Sequence, residues 1–148
     1  MCGGSTNGRC GHADFGRIPD RPTSGVADCA FHGPAASPFI GVCHTTGFLS
    51  LYSGSLTGVS VADFTTIIDC KTGRTVGQGT ETFTGQLAGV VGSGSLTWAI
   101  RFTSAFDCST FLVSDFSGSS GITSGTGALA GLTGHIVFGD TTYTGNLH

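Results

Sequence analysis

The sequence predicts an all-β fold, and specifically a single antiparallel barrel of about eight strands. Gly, Thr and Ser occupy 63 of the 148 positions, and these residue types are typical of strands joined by tight turns. Charged residues make up only 10% of the chain, which has one Lys and one Glu. Because Lys and Glu normally cover exposed helices, their scarcity argues against a helical bundle. The length corresponds to one ordinary domain.

The composition also excludes several classes of protein. A hydrophobic content of 39% with a net charge of −3 is typical of a folded chain rather than a disordered one. Six Lys and Arg residues leave no extended positive surface for a nucleic acid. No apolar run approaches the roughly 20 residues that a membrane-spanning helix needs. We therefore expect neither a nucleic-acid partner nor a membrane partner.

The chain changes character near residue 38. Residues 1–38 hold three of the six Cys and all four Pro, and they show no hydrophobic period of either kind. We expect this part to be an irregular extension tied by disulfides. Residues 39–148 contain no Pro, and apolar and hydroxyl residues recur there in short runs separated by Gly. This pattern predicts the antiparallel barrel.

The clearest strand is the segment 96–102. Its large apolar side chains, Leu96, Trp98, Ile100 and Phe102, all fall on one face. The segment 80–87 alternates in the same way, with Thr residues and Gln86 on its wet face. Further strands are predicted at 39–52, 58–69, 109–116, 134–139 and 141–147.

A weak internal repeat predicts three similar hairpin corners. Gly-x-Leu-x-Gly occurs at 54–58, 85–89 and 127–131. The paired Gly residues suit tight turns, and the central residues Leu56, Leu87 and Leu129 are expected to plug one end of the core. Closing the sheet on itself would remove the exposed edges through which a Lys-poor β protein aggregates.

Several of these segments resemble a known family. They are Glu81-x-Phe83-x-Gly85-x-Leu87-x-Gly89, the Gly-Ser-rich turn and strand at 92–102, the Gly-rich stretch 125–134 and a final strand that contains Tyr143. Over about residues 45–148 the chain resembles a family of small bacterial β-barrels of largely unknown function, similar in fold to the allene oxide cyclase and dirigent barrels. The resemblance implies an eight-stranded barrel with a narrow apolar cavity for a hydrophobic small molecule, and in some related barrels the cavity steers a cyclisation.

The candidate site residues follow from the alternation. Glu81 shares the core face with Phe83 and Leu87, and a carboxylate facing an apolar cavity is a candidate general acid or base for an isomerase or cyclase. The alternative is that Glu81 reaches solvent or pairs with Arg101. A second set of side chains either lines the cavity or fills the barrel interior. This set consists of Tyr52, Phe83, Trp98, Phe102 and Tyr143.

Six cysteines form an even set, and we expect three disulfides. Cys70 and Cys108 each end an apolar strand run, so they are the first predicted pair. The simplest remaining pairs are Cys2 with Cys10 and Cys29 with Cys43. Disulfides point to an extracellular protein. The sequence at Met1 has neither the basic nor the apolar region of a secretory signal, so either the protein is cytosolic or a leader has been removed. Six cysteines in a small barrel favour the removed leader.

The cysteines also support a rival interpretation. The spacing Cys10-x-His12 followed by Cys29-x-x-His32 matches that of Rieske iron–sulfur proteins, and the same residues with Cys43-His44 would suit zinc. The leading expectation is a secreted barrel that needs no cofactor and binds a hydrophobic small molecule. A weakly charged barrel of this composition would also suit a homo-oligomer or a structural subunit of an extracellular polymer.

Overall fold

The computed structural model describes residues 26–32 and 40–148, which form one eight-stranded antiparallel sheet. Each strand pairs with the next one along the chain. These residues contain no helix, so the predicted all-β fold is confirmed. The strands are β1 (Val26–His32), β2 (Ile40–Tyr52), β3 (Leu56–Asp69), β4 (Arg74–Leu87), β5 (Gly94–Asp107), β6 (Leu112–Gly127), β7 (Gly134–Phe138) and β8 (Tyr143–Leu147).

The sheet has two distinct ends. One end carries the β2–β3, β4–β5 and β6–β7 turns, and we call it the glycine-turn end. The other carries the turns after β3 and β5, and we call it the disulfide end. At the glycine-turn end Leu56 and Leu129 are buried, and the partly buried Leu87 packs against the same core. The three predicted corners and their central Leu residues are therefore confirmed.

The sheet curls like a barrel but does not close, which corrects the prediction of a closed sheet. No backbone pairing joins β1 to β8 within residues 26–32 and 40–148. The reason is length: β7 and β8 have five residues each, whereas β2 to β6 have 13 to 16. Since β7 pairs with Gly118–Gly121 only, the last hairpin covers the glycine-turn half and leaves the disulfide half open.

Strand β1 lies within the segment that the sequence predicted to be irregular. Val26–His32 pairs in antiparallel register with residues 40–46 of β2. Alternate residues of this strand, Ala27 and Cys29, face the cavity, but their side chains are small, so the alternation gave only a weak strand signal. The other strands lie where predicted, although β4, β5 and β6 run further than the periodic segments indicated.

The hydrophobic core fills the glycine-turn half of the sheet, which we call the closed half because the β7–β8 hairpin covers it. Leu96, Trp98 and Phe83 have no exposed surface, and Ile100 is 8% exposed, while the half-buried Phe102 packs against them. The predicted inward face of β5 is confirmed. The side chain of Tyr143 on β8 connects the last hairpin to the start of β3, where no backbone pairing joins the strands. Its hydroxyl accepts a hydrogen bond from the Leu56 amide at 2.8 Å and lies within 3.1 Å of the carbonyl oxygens of Ser53 and Leu56.

Two of the three predicted disulfides are present. Cys29 and Cys43 are register partners on β1 and β2. Cys70 and Cys108 join the two turns at the disulfide end, with 5.6 Å between their Cα atoms. The predicted third pair, Cys2 with Cys10, lies outside the described residues.

Removing the Cys70–Cys108 bridge is expected to destabilise the fold. The bridge spans 38 residues, and the chain-entropy model assigns such a loop about 4 kcal/mol. The Cys29–Cys43 bridge spans 14 residues and corresponds to about 3 kcal/mol. Urea unfolding of the two double Cys→Ser variants measures both. An equal or reversed ranking of the two losses contradicts the expectation.

Candidate functional site

The open half encloses a cavity of about 520 Å³. Residues from β1 to β7 line it, and it opens on the side where β7 and β8 do not reach. Its wall is mainly apolar. The lining includes Asp140 of the β7–β8 turn, whose carboxylate accepts a hydrogen bond from the Phe116 amide at 2.6 Å.

A row of phenylalanine rings crosses the cavity wall. The ring centroids of Phe48 and Phe64 are 5.7 Å apart, those of Phe64 and Phe102 are 5.4 Å apart, and those of Phe102 and Phe116 are 5.1 Å apart. Phe64 and Phe102 meet across β4 because β4 has glycine there. A Cβ at Gly77 would lie 2.1 Å from the Phe102 ring. The glycine therefore makes room for the aromatic wall.

A bulge in β2 turns Phe48 toward the cavity. The pairing with β3 shifts between Thr45 and Phe48, where two residues of β2 lie opposite Asp63 alone. Gly47 takes a positive φ of 67°, and its amide donates to the Asp63 carboxylate at 2.7 Å. The extra residue re-aims the strand, so Thr45 and Phe48 both line the cavity.

Glu81 lies at the floor of the cavity, where its carboxylate is held by three donors. One oxygen accepts hydrogen bonds from the Tyr52 hydroxyl at 2.9 Å and from the Ser60 hydroxyl, and the other accepts one from the Trp98 indole at 2.9 Å. Glu81 is 4% exposed. The predicted inward orientation is confirmed. The alternative pairing with Arg101 is wrong, because Arg101 is exposed on the outer face of β5.

The predicted aromatic residues divide between the cavity and the core. Tyr52 and Phe102 line the cavity. Phe83, Trp98 and Tyr143 instead pack in the closed half, with Trp98 stacked on Phe83 at 6.2 Å between ring centroids. These three side chains therefore belong to the hydrophobic core below the cavity and do not line its wall.

Burial raises the pKa of Tyr52 far above its ordinary value, and the negative charge of Glu81 raises it further. Burial also raises the pKa of Tyr143. Both phenols therefore stay protonated at a pH where tyrosine in the unfolded chain ionises. Since the unfolded state then binds fewer protons than the folded state, this stability is fully present below about pH 10 and falls above it.

The free energy of unfolding is accordingly expected to fall above about pH 10, by up to about 1.4 kcal/mol per pH unit for the deeply buried Tyr52. Urea unfolding across the alkaline range measures the slope, and Tyr52→Phe should reduce it. Tyr52 and Tyr143 are the only tyrosines of the chain, so tyrosinate absorbance is a direct check. Tyrosinate that forms with an ordinary midpoint while the protein remains folded contradicts the expectation.

Hydroxyl side chains line the cavity at the disulfide end. Thr75 and Ser104 are register partners on β4 and β5, and Thr66 lies on β3 beside them. All three are more than nine-tenths buried. The Thr75 hydroxyl has no hydrogen-bond partner among the described residues. A buried polar group left in this way costs about 1–3 kcal/mol.

Phe111 at the rim of the cavity occupies a strained backbone position. The turns Asp69–Gly73 and Asp107–Phe111 share the pattern Asp-Cys-x-Thr, and the fifth residue of each has a positive φ, 69° at Gly73 and 59° at Phe111. Hydrogen bonds from the turn hydroxyls and amides lower the pKa of both Asp carboxyls. Glycine tolerates this conformation, whereas a bulky residue in it is uncommon.

Phe111→Gly is therefore expected to raise the free energy of unfolding by about 1 kcal/mol. The ring is 68% exposed and contacts Phe106 at 6.1 Å between centroids, so little packing is lost. Thermal unfolding measures the change, with Gly73→Ala as the reverse substitution in the twin turn. A destabilised Phe111→Gly variant contradicts the strain argument.

Sequence reasoning missed much of the cavity wall. Phe48, Phe64 and Phe116 lie in segments without clear alternation, and Thr75 was outside the predicted strand. One usable signal was Gly77-Gln-Gly79 just before the periodic segment of β4. Two glycines on the inner face indicate space for side chains from the neighbouring strands.

The structure bears on the metal hypothesis at two of the proposed ligands, Cys29 and Cys43. Cys29 is bonded to Cys43, so it is not the thiolate that an iron–sulfur or zinc site would need. Cys10 and His12 lie outside the described residues. Within residues 26–32 and 40–148, no three metal-ligating side chains cluster.

Comparison of the chain with protein-family models, with curated proteins and with solved structures found no match. Within the described parts of the chain there is no helix with the length and apolar character needed to cross a membrane.

Proposed function

We propose that this protein binds a hydrophobic small molecule in the cavity of its open half. The observation that carries the proposal is the aromatic cavity of about 520 Å³, a volume within the range of small-molecule sites. The strained Phe111 at its rim supports the same function, since backbone strain is typically retained where a side chain is used. The resemblance to the allene oxide cyclase and dirigent barrels agrees with this function, and family membership stays a prediction.

The proposed site of action is extracellular. The Cys29–Cys43 and Cys70–Cys108 disulfides indicate an oxidising environment. Secretion of the protein is part of the proposal.

The proposal is tested by titration with diphenylhexatriene, an uncharged hydrocarbon whose fluorescence rises when it leaves water. We expect one equivalent to bind. Ser104→Leu narrows the cavity wall on β5 and is expected to weaken binding at least about tenfold. Thr103→Leu adds the same side chain to the exposed outer face of β5 and should bind as the native protein does. Absent binding, or equal binding by the two variants, contradicts the proposal.

The same cavity supports a second candidate function, an isomerase or cyclase that uses Glu81. The observation in its favour is that the Glu81 carboxylate lines the cavity. Its three hydrogen bonds fill three of about four acceptor positions, which leaves one for a substrate proton. Exchange of the protons beside the carbonyl of 2-decanone into heavy water is the test. Catalysed exchange that Glu81→Gln abolishes supports this function, and exchange at the uncatalysed rate contradicts it.

A further inference from the structure

We propose that the cavity takes an uncharged, elongated apolar molecule with one carbonyl or hydroxyl oxygen, which the hydroxyls of Thr75 and Ser104 bind. This inference rests on the proposed function and narrows its ligand class. It is argued from three observations: the charge of the lining, the buried hydroxyls and the length of the cavity.

The charges of the lining select against ions. Glu81 and Asp140 are its charged side chains, and among the described lining residues there is no Lys, Arg or His. An anionic ligand would therefore enter beside two negative charges without a cation to pair with. A cationic ligand would lose its hydration on entering the cavity. The Glu81 carboxylate would compensate little for that loss, because it already accepts hydrogen bonds from three donors. A neutral molecule meets neither obstacle.

The hydroxyls supply the polar contact that a neutral molecule needs. Thr75 and Ser104 lie directly opposite each other on adjacent strands, and the Cβ atoms of such a pair are about 4.5–5.5 Å apart. Their hydroxyls can therefore reach one oxygen atom placed between them. A hydroxyl both donates and accepts hydrogen bonds, so a carbonyl and a hydroxyl group both fit. The bond would also satisfy the unpartnered Thr75 hydroxyl.

The length of the cavity fixes how the molecule lies. Glu81 at the floor lies six positions after Thr75 of the disulfide end on β4, which corresponds to about 20 Å along a strand. Gly77 and Gly79 lie between them on the inner face, with Gly77 against the Phe102 ring and Gly79 paired with Phe64. The apolar body would lie along these rings with its oxygen at the disulfide end.

Competition against bound diphenylhexatriene tests the ligand class. The competitors are 2-decanone, decanoate and decylamine at neutral pH, which share a ten-carbon chain and differ in charge. We expect 2-decanone to bind at least about tenfold more tightly than either ion. Equal or tighter binding of decanoate or decylamine overturns this inference and leaves the proposed function standing. Failure of both diphenylhexatriene and 2-decanone to bind overturns the two together.

Thr75→Val locates the oxygen, since valine keeps the shape of threonine and removes the hydroxyl. We expect it to weaken 2-decanone about fivefold and to leave the affinity for diphenylhexatriene unchanged. Thr80→Val, on the exposed face of the same strand, is the matched control. Thermal unfolding verifies that each variant folds, and Ser104→Ala provides a second truncation. Unchanged affinity for 2-decanone in both Thr75→Val and Ser104→Ala overturns the assignment.

Discussion

Replacing Trp98 with alanine is expected to lower the free energy of unfolding by about 5 kcal/mol, at the upper end for a large aromatic truncation. Trp98 has no exposed surface and contacts three rings, those of Tyr52, Phe83 and Phe138. The substitution removes this packing and also the indole donor to the Glu81 carboxylate. The loss therefore combines a cavity with a weakened buried polar network.

Urea unfolding of Trp98→Ala and Trp98→Phe separates the two contributions. Phenylalanine keeps a ring in the cluster and loses the indole N–H, so we expect it to cost about 2 kcal/mol. Ala99→Gly on the exposed face of β5 serves as a control for changes in that strand. A loss below about 1 kcal/mol for Trp98→Ala would place the side chain outside the core.

Replacing Glu81 with leucine is expected to cost about 5 kcal/mol, since each buried donor that loses its acceptor costs about 1–3 kcal/mol. Three donors are affected, the hydroxyls of Tyr52 and Ser60 and the indole of Trp98. Leucine fills most of the space of the carboxylate, so the loss measures the hydrogen bonds rather than an empty volume. Urea unfolding gives the value.

A double variant distinguishes the network from simple packing. Tyr52→Phe removes one donor, so adding it to Glu81→Leu should restore part of the lost stability. Glu81→Gln keeps an acceptor oxygen for the two hydroxyls and should cost less than Glu81→Leu. Additive losses in the double variant, or equal losses for Gln and Leu, would contradict the network.

Local periodicity was enough to predict most of the strands and the inward side chains of β4 and β5. The alternation from Leu96 to Phe102 and the Gly-x-Leu-x-Gly corners depend on neighbours within a few residues, which the sequence shows directly. The inward orientation of Glu81 followed from the same rule. The Cys70–Cys108 pair was predicted because both residues end apolar strands on the same side of a hairpin sheet.

The gap between β1 and β8 and the cavity depend on contacts between residues far apart in the sequence. No local pattern contains that information. The donors to Glu81 come from β2, β3 and β5, and only the register of four strands brings them together. The cavity exists because the β7–β8 hairpin turns at Gly139 and Asp140, halfway along β6. Periodicity predicted both short strands, but it could not show beside which part of β6 they would pair.

Intermolecular nuclear Overhauser effects from bound 2-decanone show on which face of the sheet the ligand lies, because β3 offers a matched pair of side chains. Ile68 is 4% exposed and lines the cavity, whereas its neighbour Ile67 is 48% exposed on the outer face, beside the exposed Val76. A ligand in the open half is predicted to give contacts to the methyl groups of Ile68, Thr66 and Ile100, and none to those of Ile67 and Val76. Contacts to Ile67 and Val76 without contacts to Ile68 would contradict binding in the cavity, since the ligand would then lie on the outside of the sheet.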